Sequence, residues 1–391
     1  MHYLDHNATS PLRPECLAAV THALAIGGNP NSIHAAGRAA KAVVAEARSA
    51  VAQLVNAHAH DIIFTSGATE SLNLALAGAI EGAIDQHEKD MGARITRLFV
   101  SAIEHRAVLV TAQKLAERAP GVRLEILSVT PDGVLDTEAL RVALREGKGR
   151  ALVAVMAANN ETGVIQPIAE ISRLCAEAGA LLLVDAVPAA GKIALDAQLC
   201  DYLVLSAHKM GGPSGSGALI VRNGAPLAAQ IMGGTQQDGL RAGTENLSGI
   251  AGLGAAARTL RDGEGEHARI THLRDRFEAA LLQEIPEAVI FGAGSARLCG
   301  TSFFALAGVA AQTAQIALDL DGVAVSAGSS CASGKVLASH VLAAMQVEPE
   351  LAGCAVRASF GWNSENADVD AAITSLTKLW QRKAASTERA A

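Results

Sequence analysis

The sequence predicts an α/β protein: a mostly parallel seven-stranded sheet covered by helices on both faces, followed by a smaller α+β unit. Three observations point there. From about residue 36 to residue 221, helical stretches alternate with short apolar runs. Runs such as LLLVD at 181–185 are continuously apolar, as strands buried on both faces are. Aromatic residues make up only 3% of a chain that is 50% hydrophobic, so the core is built from Ala, Val, Leu and Ile, which suit helices packed on a sheet.

Taken in order, residues 35–56 read as a helix and Asp61–Thr65 (DIIFT) as the first strand. A helix from Thr69, strand Arg97–Ser101, a helix after His105 and strand Val122–Leu127 follow. A helix from Thr137, strand Ala151–Met156 and a helix from Pro167 lead to strands Leu181–Asp185, Asp201–Leu205 and Gly217–Val221. Past residue 244 the rhythm changes. A long Ala-rich helix runs to about Asp262 and another spans His267–Glu284. Then come strands Ala288–Phe291 and Thr301–Leu306, helix Gln312–Leu320, strands Gly322–Ser326 and Ala355–Ser359, and a last helix from Asn366. The Gly- and acid-rich DGEGE of Asp262–Glu266 is the expected boundary, and 391 residues at about 150 per domain fit two or three domains.

Composition narrows the function. With 32 Lys and Arg against 39 Asp and Glu, and no block of like charge, an electrostatic footprint for nucleic acid is missing. No basic leader and no uncharged apolar run of roughly 18 residues is present, so neither export nor a membrane is expected, and the protein is placed in the cytoplasm. The six cysteines (Cys16, Cys175, Cys200, Cys299, Cys331 and Cys354) form no C-x-x-C, which argues against a zinc site and a disulfide framework. A functional cysteine is then a free thiol. No metal is expected, and the pair His58 and His60 reads as a solvated loop.

In open α/β sheets ligands sit beyond the carboxyl ends of the strands, and several ends here are polar. After DIIFT, Gly67, Ala68 and Thr69 are small residues opening a helix, whose backbone amides and positive end suit a phosphate; an ordinary Ser/Glu helix cap is the plainer alternative. The GSSCASGK run at 328–335 has the wrong spacing for a P-loop, and GPSGSG at 212–217 the wrong order for a dinucleotide fingerprint. Asp185 ends one apolar strand, and Lys209 follows the next in Ser206-Ala207-His208-Lys209. Pyridoxal phosphate needs this set: an amine for its aldehyde, a carboxylate for its ring nitrogen and a cradle for its phosphate. Two more strand ends carry His105, which can cover a planar ring and exchange protons near neutral pH, and Asn160, an amide that can donate and accept.

FTSGATES, SAIEHRAVL, ANNETGVIQPI, LLVDAV, SAHKMGGPSGSGAL, GLRAGTENLSGI, SAGSSCASG and VRASFG together resemble the cysteine desulfurases of the NifS/IscS type, class V aminotransferases of PLP fold-type I. The resemblance spans nearly the whole chain, from LDHNATSPL onward. It implies a large cofactor domain at 15–262 and a small domain of 1–14 with 263–391 that carries the catalytic cysteine loop. It implies that Lys209 bonds to the cofactor, Asp185 pairs with its ring nitrogen and His105 stacks on the ring. Thr69, Ser206 and His208 are implied to hold the phosphate, with Thr244 reaching in from the second subunit of a homodimer. Asn160 and Arg357 are implied to bind the carboxylate of L-cysteine, and Cys331 to be the nucleophile.

A Cys331 thiolate attacking the substrate sulfur leaves a persulfide and alanine, so this thiol is expected exposed in a polar setting, among the small residues of a flexible loop. The length from Cys331 to Arg357 resembles the subgroup that hands sulfur to a separate acceptor protein, such as an iron-sulfur scaffold, or toward tRNA thiolation. One residue departs from the family pattern Asp-Ala-x-Gln: Pro188 stands where glutamine donates to the cofactor, and proline has no side-chain donor. Two alternatives share these residues. A selenocysteine lyase or other class V aminotransferase would keep turning over without Cys331, and a non-catalytic sulfur-carrier scaffold would not turn over at all.

Overall fold

The computed structural model of the protein describes residues 1–87, 94–222, 224–263, 265–327 and 339–390. The chain starts with a two-residue strand, β1 (His2–Tyr3), and two helices, α1 (Pro14–Ile26) and α2 (Ala35–Leu54). Helix α1 was not expected from the sequence, because only Cys16 and Ala23 of it are buried and its apolar residues mark no face. Its ends were nonetheless written locally: Pro14 opens it, where the missing amide hydrogen costs nothing, and Gly27 closes it at φ 60°. Helix α2 buries Ala40, Val44, Ala47 and Val51 at helical spacing. Its N-terminus is capped by His34, whose Nδ1 accepts from the Gly37 amide at 3.2 Å.

Seven strands form the main sheet: β2 (Ile62–Thr65), β3 (Ile95–Ser101), β4 (Arg123–Leu127), β5 (Arg150–Met156), β6 (Leu181–Asp185), β7 (Tyr202–Ser206) and β8 (Gly217–Val221). Their order is β2-β8-β7-β6-β5-β3-β4. All neighbours run parallel except β8, which is antiparallel to both β2 and β7. Helices α3 (Ala68–His87), α4 (Arg106–Arg118), α5 (Thr137–Glu146), α6 (Ile168–Ala178) and α7 (Leu247–Asp262) cover it. Alternate residues of one strand enter opposite cores. Val153, Val155, Leu182, Val184 and Leu203 pack with α2, α5, α6 and α7, whereas Leu152, Ala154, Leu181, Leu183 and Val204 pack with α3 and α4. That is why these strands read as unbroken apolar runs. Against α2, Gly254 of α7 brings the backbones close: a Cβ there would lie 2.6 Å from Ala47 Cα.

The remaining chain forms α8 (Glu266–Glu284), β9 (Val289–Ile290), β10 (Thr301–Ala305), α9 (Ala311–Leu320), β11 (Val323–Ala324), β12 (Ser326–Ala327), α10 (His340–Ala344), α11 (Pro349–Ala352), β13 (Ala355–Ser359) and α12 (Asn366–Ala390). Strands β12-β13-β10-β9 make an antiparallel sheet. Phe277 of α8 sits against Phe304 and Phe360 with ring centroids 5.5 and 5.7 Å apart, tilted contacts worth ~0.5–1.5 kcal/mol each beyond their buried area. The single strand expected at 322–326 is two short ones, since β11 pairs with β1 and β12 with β13. Among the described residues, no helix is long and apolar enough to cross a membrane, and no group of three or more His, Cys, Asp or Glu side chains is placed to hold a metal.

Candidate active site

Parallel strands deliver their carboxyl ends to one rim, and there the register places residues side by side: Met156 of β5 lies opposite Asp185 of β6. A cavity of about 580 Å³ opens at this rim. Gly67, Ala68, Thr69, His105, Asn160, Asp185, Ser206, His208, Lys209 and Arg357, drawn from six separate stretches of sequence, all line it. Thr244 is exposed and does not line the cavity of its own chain. Cys331 lies outside the described residues.

Lys209 ends a tight turn after β7. Its Nζ donates to the carbonyl of Asn7 and, at 2.8 Å, to that of Ala8. Burial, with Arg357 and Lys192 nearby, pulls its pKa down to about 7, against the smaller upward pull of Asp5 and Asp185. The amine is therefore close to half unprotonated at neutral pH. Asp185 accepts from the Val187 amide at 3.0 Å, and burial pushes its pKa up to about 6, so it remains mostly ionised at pH 7.

His105 caps α4: its Nδ1 accepts from the Ala107 amide at 3.1 Å, so the ring's remaining proton sits on Nε2. Burial, then the charges of Lys209, His340 and Arg106, lower its pKa and keep it neutral. At the other wall, Arg357 donates from Nη1 to the Asn160 carbonyl and from Nη2 to Asp5 Oδ1, both at 2.9 Å, while its buried Nε has no acceptor. A cationic fork at the cavity wall suits a carboxylate.

The start of α3 is open to an anion, and Ser206 and His208 border the same space. The capping alternative is also present, because Ser66 donates through its amide (2.9 Å) and its hydroxyl to Glu70 Oε2. Glu70 in turn is paired with Arg241 at 2.7 Å. The donor set fits pyridoxal phosphate: an unprotonated amine, a buried carboxylate and an anion cradle share one cavity. Pro188 lines it too, without a donor to offer.

Sequence reasoning missed several groups. Asn7, Lys192 and Glu161 line the cavity. Glu161 is buried, and its pKa is pushed up to about 7, with Ser339 Oγ donating to Oε2 at 2.5 Å. Glu104, next to His105, is wholly buried with Oε1 accepting from the Met156 amide at 2.6 Å and Oε2 unpartnered, and burial, with Asp185 nearby, pushes its pKa well up. Asn7 and Glu161 stand inside the quoted motifs; what was missing was any chemistry of their own to mark them. Cys16, Cys175, Cys200 and Cys354 are buried free thiols, and burial raises the first three to about 11, 12 and 12.

Known proteins resemble this chain over most of its length. The model of the aminotransferase class-V family matches residues 2–372. A cysteine desulfurase of Cereibacter sphaeroides is 42% identical over 94% of this chain and 92% of its own. A cysteine desulfurase IscS of Dictyoglomus turgidum is 37% identical over 97% and 94%. The X-ray structure of a NifS-like protein from Rickettsia africae superposes with a TM-score of 0.86 at 30% identity, covering 97% of this chain and 99% of that one.

Proposed function

The chain belongs to the aminotransferase class-V family, and from that membership we propose that it is a pyridoxal-phosphate-dependent cysteine desulfurase. It takes L-cysteine, releases L-alanine and leaves the sulfur as a persulfide on Cys331. The observation that carries this reading is the convergence of Lys209, Asp185 and the start of α3 on one cavity.

When bound, pyridoxal phosphate supplies an electron-withdrawing ring that stabilises negative charge at the substrate's α-carbon. Lys209 Nζ, about half free of its proton near pH 7, is the base that takes the α-proton. Asp185 would hold the ring nitrogen, His105, with a proton on Nε2, would cover the ring, and Thr69, Ser206 and His208 would hold the phosphate. Arg357 and Asn160 orient the substrate carboxylate. The Cys331 thiolate then attacks the substrate sulfur. A sulfur–sulfur bond forms as the carbon–sulfur bond breaks, the β-carbon takes a proton on the electron pair left to it, and Lys209 returns the proton to the α-carbon to give alanine.

The wider organisation belongs to the same proposal. A homodimer in which Thr244 serves the neighbouring site is supported by its exposure outside its own cavity. A small domain of residues 1–14 with 263–391 is supported by the pairing of β1 with β11 and of Asp5 with Ser359. Free thiols at all five described cysteines support a cytoplasmic site of action, where the persulfide is passed to a sulfur-acceptor protein for iron-sulfur assembly or tRNA thiolation. The test is mass spectrometry after incubation with cysteine. Extra sulfur on the peptide bearing Cys331, lost in Cys331→Ala together with alanine formation, is expected. Undiminished alanine formation in Cys331→Ala would overturn the assignment of the nucleophile, and Lys209→Ala with an intact cofactor band would overturn the whole reading.

A further inference from the structure

A second buried lysine stands in the same cavity without a role in the reaction just described. Lys192 follows β6 by seven residues, and its Nζ donates to Asn7 Oδ1 at 3.2 Å. The orientation of that amide is fixed, because Asn7 Nδ2 donates to Thr301 Oγ1 at 2.9 Å and to the Asn160 carbonyl at 3.2 Å. The Asn7 main-chain N–H donates to Ser359 Oγ at 2.9 Å. One immobilised asparagine thus carries both lysines, Lys192 on its side-chain oxygen and Lys209 on its main-chain oxygen. Both lysines also line a second, water-sized cavity of about 30 Å³ on the far side.

The charges around them are not balanced alike. Arg357 is neutralised by Asp5 at 2.9 Å, whereas Lys192 has no carboxylate partner among the described residues. Besides these two cations, Lys209 feels the carboxylates of Asp5 and Asp185. Three histidines complete the surroundings: His105 and His208 beside Lys209, and His6 beside Lys192, with Cys299 also facing Lys192. An unpaired buried cation costs stability, and a like charge beside an amine favours its neutral, nucleophilic form.

We infer that Lys192 is a positioning residue for Lys209: its ammonium, held across Asn7, keeps the Lys209 amine unprotonated and ready to bond the cofactor and take the substrate's proton. The inference rests on the function proposed above. Its test is a pH titration of the visible cofactor absorption in the holoenzyme, comparing wild type with Lys192→Met, Lys192→Gln and Lys192→Arg. Gln can still donate to Asn7, so it separates charge from hydrogen bonding and also serves if the Met variant does not fold. Loss of the charge in Met or Gln is expected to raise the titration midpoint by about one pH unit, and Arg to restore it. Midpoints unchanged in the neutral variants overturn the inference, as does a rise in KM for cysteine without any shift in the midpoint, which would make Lys192 a carboxylate binder instead. A wild-type protein without a cofactor band sinks the functional reading itself, so the two failures are distinguishable.

Discussion

At the scale of single residues, Arg357 has two tasks that mutation can separate. Its Nη2 bond to Asp5 closes a partly buried ion pair, and Ser326 Oγ, at 2.8 Å, is the other donor to that carboxylate. Removing the guanidinium leaves Asp5 without its cation, so Arg357→Ala is expected to cost about 3 kcal/mol in urea unfolding. Arg357→Lys keeps a positive charge but not the fork, so it should unfold nearly as wild type while KM for cysteine rises about tenfold or more. A KM unchanged in the Lys variant would remove Arg357 from the substrate site. Asp185 gives a second residue-scale expectation. Burial holds its pKa at about 6, and only the ionised form can pair with a protonated ring nitrogen. Affinity of the apoprotein for cofactor should fall as pH drops through that value, and Asp185→Asn should bind weakly with no such acid limb in a fluorescence titration.

At the scale of elements, the phosphate cradle depends on how closely β8 approaches the turn that opens α3. Gly217 begins β8 opposite Thr65, and a Cβ on it would stand 2.7 Å from Gly67 Cα and 2.8 Å from the Leu205 carbonyl oxygen. Both contacts are backbone, so neither can swing away. Gly217→Ala should push the turn outward, lowering stability by about 1–3 kcal/mol and weakening cofactor binding, read by thermal melts with and without cofactor. Unchanged affinity would show that the cradle does not need this approach. Such tight places also mark what the sequence could convey. Runs like LLLVD and YLVLS announced a buried parallel sheet because each strand feeds two cores, and strand ends announced Asp185 and Lys209 because polar residues stop those runs. Helix α1 stayed hidden because its inward face is only Cys16 and Ala23, and the break at Val325 stayed hidden because pairing partners, not composition, divide β11 from β12. Asn7 and Lys192 were silent for a similar reason: their place beside Lys209 is created by chain segments 185 and 202 residues apart from Asn7 meeting over it.

For the whole molecule, burying a working site leaves a thermodynamic signature in the chain without cofactor. Lys209 and Lys192 bind protons less tightly folded, at about 7 and about 8, than an unfolded lysine does at about 10.4. Where the unfolded chain holds more protons, stability rises with pH, by up to about 1.4 kcal/mol per pH unit for each such lysine. On the acid side this is obscured. Asp185 and Glu161, with pKa values raised to about 6 and 7, make stability fall with rising pH, while His6 and His208, lowered to about 3 and 4, make it rise. From about pH 8 upward, thiols pushed up by burial, Cys175 and Cys200 at about 12, make stability fall as the unfolded thiols ionise at about 8.5. Between about pH 7 and about 8.5 the two lysines pull stability up, while Glu104, whose pKa burial raises well above its unfolded value, and the buried thiols pull it down, so the lysines are read from differences between forms of the protein rather than from the slope of one. Cofactor bonded to Lys209 removes that lysine's share, and Lys192→Met removes the other. The slope of the urea midpoint against pH across this window should therefore be most positive for the apoprotein, lower for the holoenzyme and the apo variant, and lowest for the holo variant. Slopes that are the same in the wild-type apoprotein, the holoenzyme and the apo variant would mean that the two amines do not share a desolvated cavity.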